Sequence, residues 1–358
     1  MQNGRYGMIN MVDLKFYKNK KIFITGHTGF KGCWLTKILV DSGALVKGYA
    51  LEPEKNSLFS KISIESKIES VYGDIRDFEK LKMEFDDFNP EIVFHLAAQP
   101  IVLKSYSEPR YTYETNVMGI INVLECIRNN NSVKSFINVT TDKVYENNDS
   151  DKEFIEDDKL NGYDPYSNSK SCSELITSSY IKSFFSDREI GVSTVRAGNV
   201  LGGGDYAENR IIPDCVKATK FGNEIIVRNP YSIRPYQHVL DALAAYLLIA
   251  EEQYNNKAIS GSYNIGPNEE DIITTKKLVD LFCEKWGDGV TWKNSLHNGP
   301  HESSFLKLNC EKIRNTFNWN PKWNIEKTVE KVVEFEKYDE NNYEECMEKQ
   351  IKEFEDSN

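Results

Sequence analysis

The chain has 358 residues, 40% hydrophobic and 28% charged, with a formal net charge of −11 at pH 7. Roughly 100–200 residues per domain predicts two lobes, and the acidity excludes a nucleic-acid binder or polybasic membrane-surface protein, which need clustered Lys and Arg. No run approaches the roughly 18 apolar residues of a membrane span, and residues 1–20 lack the apolar segment of a secretory signal, so a soluble cytoplasmic enzyme is expected.

Taken in chain order, Lys21–Thr25 reads as a buried strand. Residues 32–42 read as a helix through Trp34, Leu35, Ile38 and Leu39. Ala44–Tyr49, Glu91–Leu96, Ser135–Thr140 and Gly191–Arg196 read as further strands. Helical spacing runs through 116–128 and 166–185. Strands alternating with helices predict βαβ units, an α/β class and a doubly wound parallel sheet. The rhythm breaks at Gly202-Gly-Gly204. Beyond it, 211–221 reads as a helix, 230–237 as a loop and 239–252 as an apolar helix. Gly261–Gly266 reads as a strand and turn. Residues 272–345 mix helices with the turn Trp319-Asn-Pro-Lys-Trp323. The helix 239–252 and the strand after it read as returning to the first lobe.

Between the first strand and first helix stands Gly26-His27-Thr28-Gly29-Phe30-Lys31-Gly32. Glycines there allow a tight turn and close approach of backbone to a pyrophosphate, which the helix N-terminus then meets with free N–H groups. Asp74, followed by Ile75, is placed to reach an adenine amino group. Leu96, Ala97, Ala98 and Gln99 close a strand with small residues along which a cofactor can lie. Glu52 lies twenty residues after Gly32, the spacing of a ribose-reading carboxylate. No Arg stands beside it for a 2′-phosphate, which favours NAD over NADP.

Tyr166 and Lys170 are four residues apart, on one face of a helix. A neighbouring ammonium favours the phenolate, so this Tyr is a candidate general base. It follows Thr140, Thr141, Asp142 and Lys143 at the C-terminal end of a strand, where open parallel sheets build their sites. The cysteines, seven in number, contain no C-x-x-C pair, and the five histidines are too dispersed for a metal site.

These motifs resemble those of the extended short-chain dehydrogenase/reductase superfamily. Within it the chain is similar to the nucleotide-sugar 4,6-dehydratases, and among those to the members acting on CDP-glucose. The resemblance rests on Gly26–Leu35, His95–Pro100, Thr140–Tyr145, Tyr163–Lys170, Arg196–Asp205, Arg210–Asp214, Ile233–Leu240 and His301–Leu308. It covers about 15–335. It implies a Rossmann-type sheet formed by 15–202 plus 236–266, binding NAD. It also implies a smaller mixed α/β C-terminal lobe of 203–235 plus 267–335, holding the nucleotide sugar.

The roles it implies are specific. Tyr166 takes the C4 hydroxyl proton, Lys170 lowers the Tyr pKa and holds the nicotinamide ribose, and Thr141 bonds the C4 oxygen. Lys143, or the Lys143–Asp142 pair, removes the C5 proton, and Asp142 protonates the departing C6 hydroxyl. Asn199, Arg210 and Arg234 fall where the family holds the nucleotide diphosphate. His238 is either a further ligand or a structural cap, and His27 is placed to touch the pyrophosphate. A homodimer through helices near 110–130 and 167–185 is also implied. Two alternatives stand: a 4,6-dehydratase of a GDP-, UDP- or dTDP-hexose, and a non-catalytic NAD(H) sensor. Sensors of this kind typically lose the active Tyr or Lys, and both are present here.

The charge is unevenly placed. Residues 334–358 hold ten Asp or Glu and three Lys, a net −7, leaving −4 for the rest. Residues 336–358 read as an acidic tail whose default is a solvated helix.

Overall fold

The structure, a computed structural model, describes residues 12–148, 152–295 and 305–357. Its strands used below are β1 (Lys21–Thr25), β2 (Leu45–Ala50), β3 (Glu69–Tyr72), β4 (Ile92–His95), β5 (Ser135–Val139), β6 (Gly191–Ala197), β7 (Asn199–Leu201), β8 (Ile233–His238), β9 (Ser262–Ile265) and β10 (Ile272–Thr274). Its main helices are α1 (Phe30–Asp41), α2 (Phe78–Phe88), α3 (Gly119–Arg128), α4 (Pro165–Tyr180), α5 (Ile211–Lys220), α6 (Val239–Asn255), α7 (Thr275–Trp286), α8 (Ile325–Lys337) and α9 (Tyr343–Asp356).

The central sheet has seven strands in the order β9-β6-β5-β4-β1-β2-β3, every pair parallel. Its apolar residues alternate between two cores. Ile22, Ile24, Phe94 and Ile137 face one side with Trp34 and Leu243. Phe23, Val93 and Phe136 face the other with Leu81, Phe85 and Leu124. Both faces are covered, which is why these strands read as continuous apolar runs. The chain reverses direction across β1 and β4, so a crevice opens at their C-terminal ends. This is the Rossmann-type doubly wound sheet.

From α5 onward, apart from α6 and β9, which pack on and extend the central sheet, the chain builds a smaller lobe. Cys215, Val216, Leu278, Phe282, Val329 and Val332 from α5, α7 and α8 form its core. The expected loop over 230–237 is corrected: most of it is strand β8. Its Ile233–Pro235 half pairs antiparallel with β10, and its Tyr236–His238 half pairs parallel with β7. Pro235, which cannot donate to a ladder, sits where the pairing changes partner.

The expected solvated tail is corrected too. In α9, Tyr343, Cys346, Met347, Gln350, Ile351 and Phe354 are buried in a stripe at helical spacing. The acidic residues of the helix answer lysines on the body. Lys37 of α1, whose side chain is fully enclosed, meets Asp41 at 2.7 Å and Glu348 at 2.6 Å. Lys331 meets Glu353 at 2.6 Å. Net charge hid an amphipathic helix. The first part of the last motif, His301–Ser304, lies outside the described residues.

Candidate active site

The glycine loop sits at the switch between β1 and β4. Gly26 has φ +78°, and a Cβ there would lie 2.7 Å from the Ala97 nitrogen. A Cβ on Gly32 would lie 2.0 Å from the Gly26 oxygen. Only glycine lets the loop, the end of β4 and the first turn of α1 approach so closely. Gly29 caps α1 with no side-chain hydrogen bond, so the first N–H groups of that helix have no side-chain acceptor. The residues present therefore fit a dinucleotide pyrophosphate.

Other loop expectations fare differently. His27 is fully buried, with Nε2 2.8 Å from Ser70 Oγ and its ring against Phe59. Burial pulls its pKa down to about 4. It packs beneath the loop as structure. Thr28 donates to the Leu51 carbonyl at 3.1 Å. The Asp74 carboxylate is held by Arg76 at 2.6 Å, and Ile75 packs against Gly119. Leu96 and Ala97 nitrogens donate to the Thr25 carbonyl and hydroxyl at 3.0 and 3.2 Å. Ala98 follows them and is half-buried. Gln99 is buried, donates to Thr112 Oγ1 at 2.9 Å and accepts from Ile101 N at 2.7 Å. Its side chain therefore braces the β4 end. Glu52 is exposed two residues beyond β2.

A cleft of about 320 Å³ lies between the sheet's C-terminal edge and the smaller lobe. Phe30, Lys31, Thr140, Thr141, Asp142, Lys143, Tyr166, Asn199, Arg210 and Arg234 all line it. Tyr166 is placed by α4, which starts at Pro165 and is capped by Asp164; the cap accepts from Ser167 N at 3.0 Å. The Thr141 hydroxyl stands beside the Tyr166 phenol and acts to lower its pKa. Thr141 in turn donates to Asp142 Oδ1 at 3.0 Å. Lys143 Nζ lies 3.6 Å from that same oxygen. Asp142 Oδ2 is buried with no hydrogen-bond partner among the described residues.

Burial pushes the Tyr166 phenol up to about 12, against the pull of Thr141 and of the Arg210 guanidinium. Lys170, one turn on, donates to the Val139 carbonyl at 3.0 Å. Burial, reinforced by Lys31, pulls its ammonium down to about 7. Lys170 thus lies beneath the cleft, and the cation that favours the phenolate in this structure is Arg210. Arg210 is aimed by Asp205 at 2.8 Å. Arg234 is buried and donates to its neighbour's carbonyl, that of Ile233, at 2.9 Å. His238 does not reach the cleft. It is fully buried, caps α6 by accepting from Leu240 N at 3.2 Å, and packs against Trp323. Of the two readings of His238, the cap is the one the structure places.

One supporting group escaped the sequence reading. Glu174 is four residues beyond Lys170 on the same face of α4. It accepts from Thr140 Oγ1 at 2.5 Å and Thr194 Oγ1 at 2.6 Å, and from Arg196 twice at 2.9 Å. The repeat Tyr166, Lys170, Glu174 was the available signal.

Comparison with known proteins identifies the family. The family model described as GDP-mannose 4,6 dehydratase matches residues 23–332. A CDP-glucose 4,6-dehydratase of Salmonella typhimurium is 45% identical over 334 residues, covering 91% of this chain and 93% of the relative. Two solved structures share the fold at low identity. One is an epimerase of Methanothermobacter thermautotrophicus (TM-score 0.81, 22% identity, 95% of this chain and 98% of that one). The other is a Bacillus anthracis dTDP-glucose 4,6-dehydratase in complex with NAD (TM-score 0.73, 23% identity, 88% and 96%). The chain belongs to the GDP-mannose 4,6 dehydratase family.

Proposed function

We propose that the chain is a hydro-lyase converting CDP-D-glucose to CDP-4-keto-6-deoxy-D-glucose with bound NAD, in deoxysugar and surface-glycan biosynthesis. The observation that carries the reading is the group Tyr166, Thr141, Asp142 and Lys143 lining one cleft, with Thr141 and Lys143 both on Asp142 Oδ1. It supplies a proton acceptor for C4 and, beside it, an acid and a base for C5 and C6. The identity to the Salmonella typhimurium relative supports CDP-glucose as the substrate.

When bound, NAD supplies reversible hydride acceptance, oxidising C4 and later reducing C6. The backbone of the loop Gly26–Gly32 would hold its pyrophosphate. Tyr166 takes the C4 hydroxyl proton, with Thr141 bonding the same oxygen and Arg210 favouring the phenolate. The resulting ketone acidifies the C5 proton, which Lys143 removes. Asp142 protonates the C6 hydroxyl as it leaves as water. Lys143 and Asp142 lie 3.6 Å apart, so the proton gained by one resets the other. Asn199, Arg210 and Arg234 serve the diphosphate, an Arg fork suiting phosphate geometry. We read 15–202 plus 236–266 as the cofactor unit and 203–235 plus 267–335 as the substrate lobe.

A homodimer belongs to the same proposal. Met118, Leu175 and Phe184 are about half exposed, on or beside the paired helices α3 and α4, and two copies would cover them. Among the described residues no helix is long and apolar enough to cross a membrane.

The test is incubation with NAD and a panel of CDP-, dTDP-, GDP- and UDP-hexoses, with mass-spectrometric detection of water loss. Loss from CDP-glucose is expected. The family model's description favours a GDP-hexose as second reading, and loss from that sugar alone would install it.

A further inference from the structure

Lys31 stands in the first turn of α1, immediately after the residues that would cradle a pyrophosphate, yet it lines the catalytic cleft with Thr141, Asp142 and Tyr166. Its Nζ has no hydrogen-bond or ion-pair partner among the described residues; its one described contact is the Tyr246 ring, 5.8 Å to the centroid. Burial pulls the ammonium down to about 8, with Arg210 acting the same way and Asp142 and Asp205 acting against both. It therefore remains charged at neutral pH. Lys31 is half-buried and faces the cleft, and a partly desolvated ammonium that the protein leaves without a partner in a ligand cleft is placed to meet a ligand.

The complementary atom is in the same cleft. Asp142 Oδ2 is buried and lacks a hydrogen-bond partner, while Oδ1 already serves Thr141 and Lys143. With Asp142 ionised, a group that accepts from Lys31 and donates to Oδ2 would satisfy both, and a hydroxyl does this while a carbonyl or an ionised phosphate oxygen can only accept.

We propose that Lys31 is a further catalytic residue, donating a hydrogen bond to the C6 oxygen of the substrate as that oxygen leaves, with Asp142 on its other side. This rests on the dehydratase reading above. The step balances without any added reagent. The C5–H bond breaks, its proton goes to Lys143, and its electron pair becomes the C5=C6 bond. The C6–O bond breaks with its pair on oxygen, which takes the Asp142 proton and departs as water. Lys31 keeps its proton throughout and lowers the charge developing on the oxygen.

The experiment compares wild type, Lys31→Met and Lys31→Arg, each loaded with NAD, on two substrates. CDP-glucose reports water loss. CDP-6-deoxyglucose has no C6 oxygen and reports only oxidation at C4, through the reduced-nicotinamide absorbance. Lys31→Met is expected to slow water loss about a hundred-fold while leaving C4 oxidation of the 6-deoxy sugar within about three-fold. Lys31→Arg, which keeps a charged donor, is expected to recover most of the loss. Equal slowing on both substrates, or a lost affinity for NAD measured by fluorescence, would place Lys31 on the cofactor instead and overturn the proposal. Unchanged water loss in Lys31→Met would overturn it as well. Wild type that fails on CDP-glucose but dehydrates another nucleotide sugar defeats the substrate reading alone, and the same pair of measurements then runs on that sugar and its 6-deoxy form.

Discussion

Glu174, which is buried, and Lys31, which is half-buried, both stand beside the cleft, but their surroundings are opposite. Glu174, on the wall built by β5, β6 and α4, accepts from Thr140, from Thr194 and twice from Arg196. Lys31, on the wall built by α1, has a ring face and, among the described residues, no oxygen partner. The first wall is complete within the protein and holds Tyr166 and Thr141 in register. The second offers charge that the protein itself does not use. A charge satisfied inside the chain belongs to stability, and one left waiting belongs to a ligand.

The comparison can be broken from either side. The largest expected effect is at the reacting group: Tyr166→Phe should lower kcat on CDP-glucose by about a thousand-fold with an unchanged urea midpoint. Lys143→Ala should slow exchange of solvent deuterium into C5 by about a hundred-fold; a normal exchange rate would remove Lys143 as the base. On the complete wall, Arg196→Met strands the Glu174 carboxylate and should cost about 3–5 kcal/mol in denaturant unfolding. A cost under about 1 kcal/mol would mean the network is not closed.

Acid should act on the complete parts of the fold. His27, His95 and His238 are buried, and desolvation pulls them from 6.5 to about 4, about 3 and about 3. Below pH 6.5 the unfolded chain takes up protons that the fold refuses, so stability is intact above that value and falls as the pH drops towards 4. Each histidine contributes about 1.4 kcal/mol per pH unit in that window. Urea midpoints between pH 4 and 6.5 should show this slope, and His238→Gln should remove one share of it. The smallest effect concerns assembly: Leu175→Asp should yield monomer in sedimentation, and a protein already monomeric would dismiss the dimer.

What was legible in the chain follows from the same physics. β1, β4, β5 and β6 were readable because burial on both faces demands unbroken apolar runs. Edge strand β3, Glu69-Ser-Val-Tyr72, carries too little apolar signal, and α2 is amphipathic enough to hide among its charges. β8 was obscured by Pro235, whose place in a sheet depends on two strands distant in sequence. In α9, ten acids and three lysines over 334–358 outweighed the stripe from Tyr343 to Phe354. The site was readable where chemistry is local, as in Thr141-Asp-Lys143 and Tyr166 with Lys170. It was not readable where a residue's surroundings come from elsewhere. His27 and His238 look like ligands by type and are packed as structure. Lys31 looks like a member of a phosphate loop, and its side chain lines the catalytic cleft.

The most direct measurement of the central claim is one turnover assay in deuterium oxide, with purified protein, NAD and CDP-glucose, read by mass spectrometry. The account predicts loss of one water and retention of one solvent deuterium at C5, giving CDP-4-keto-6-deoxyglucose. CDP-glucose recovered unchanged, beside a dehydrated GDP-, UDP- or dTDP-hexose, would contradict the substrate. No water loss from any nucleotide hexose would contradict the enzyme.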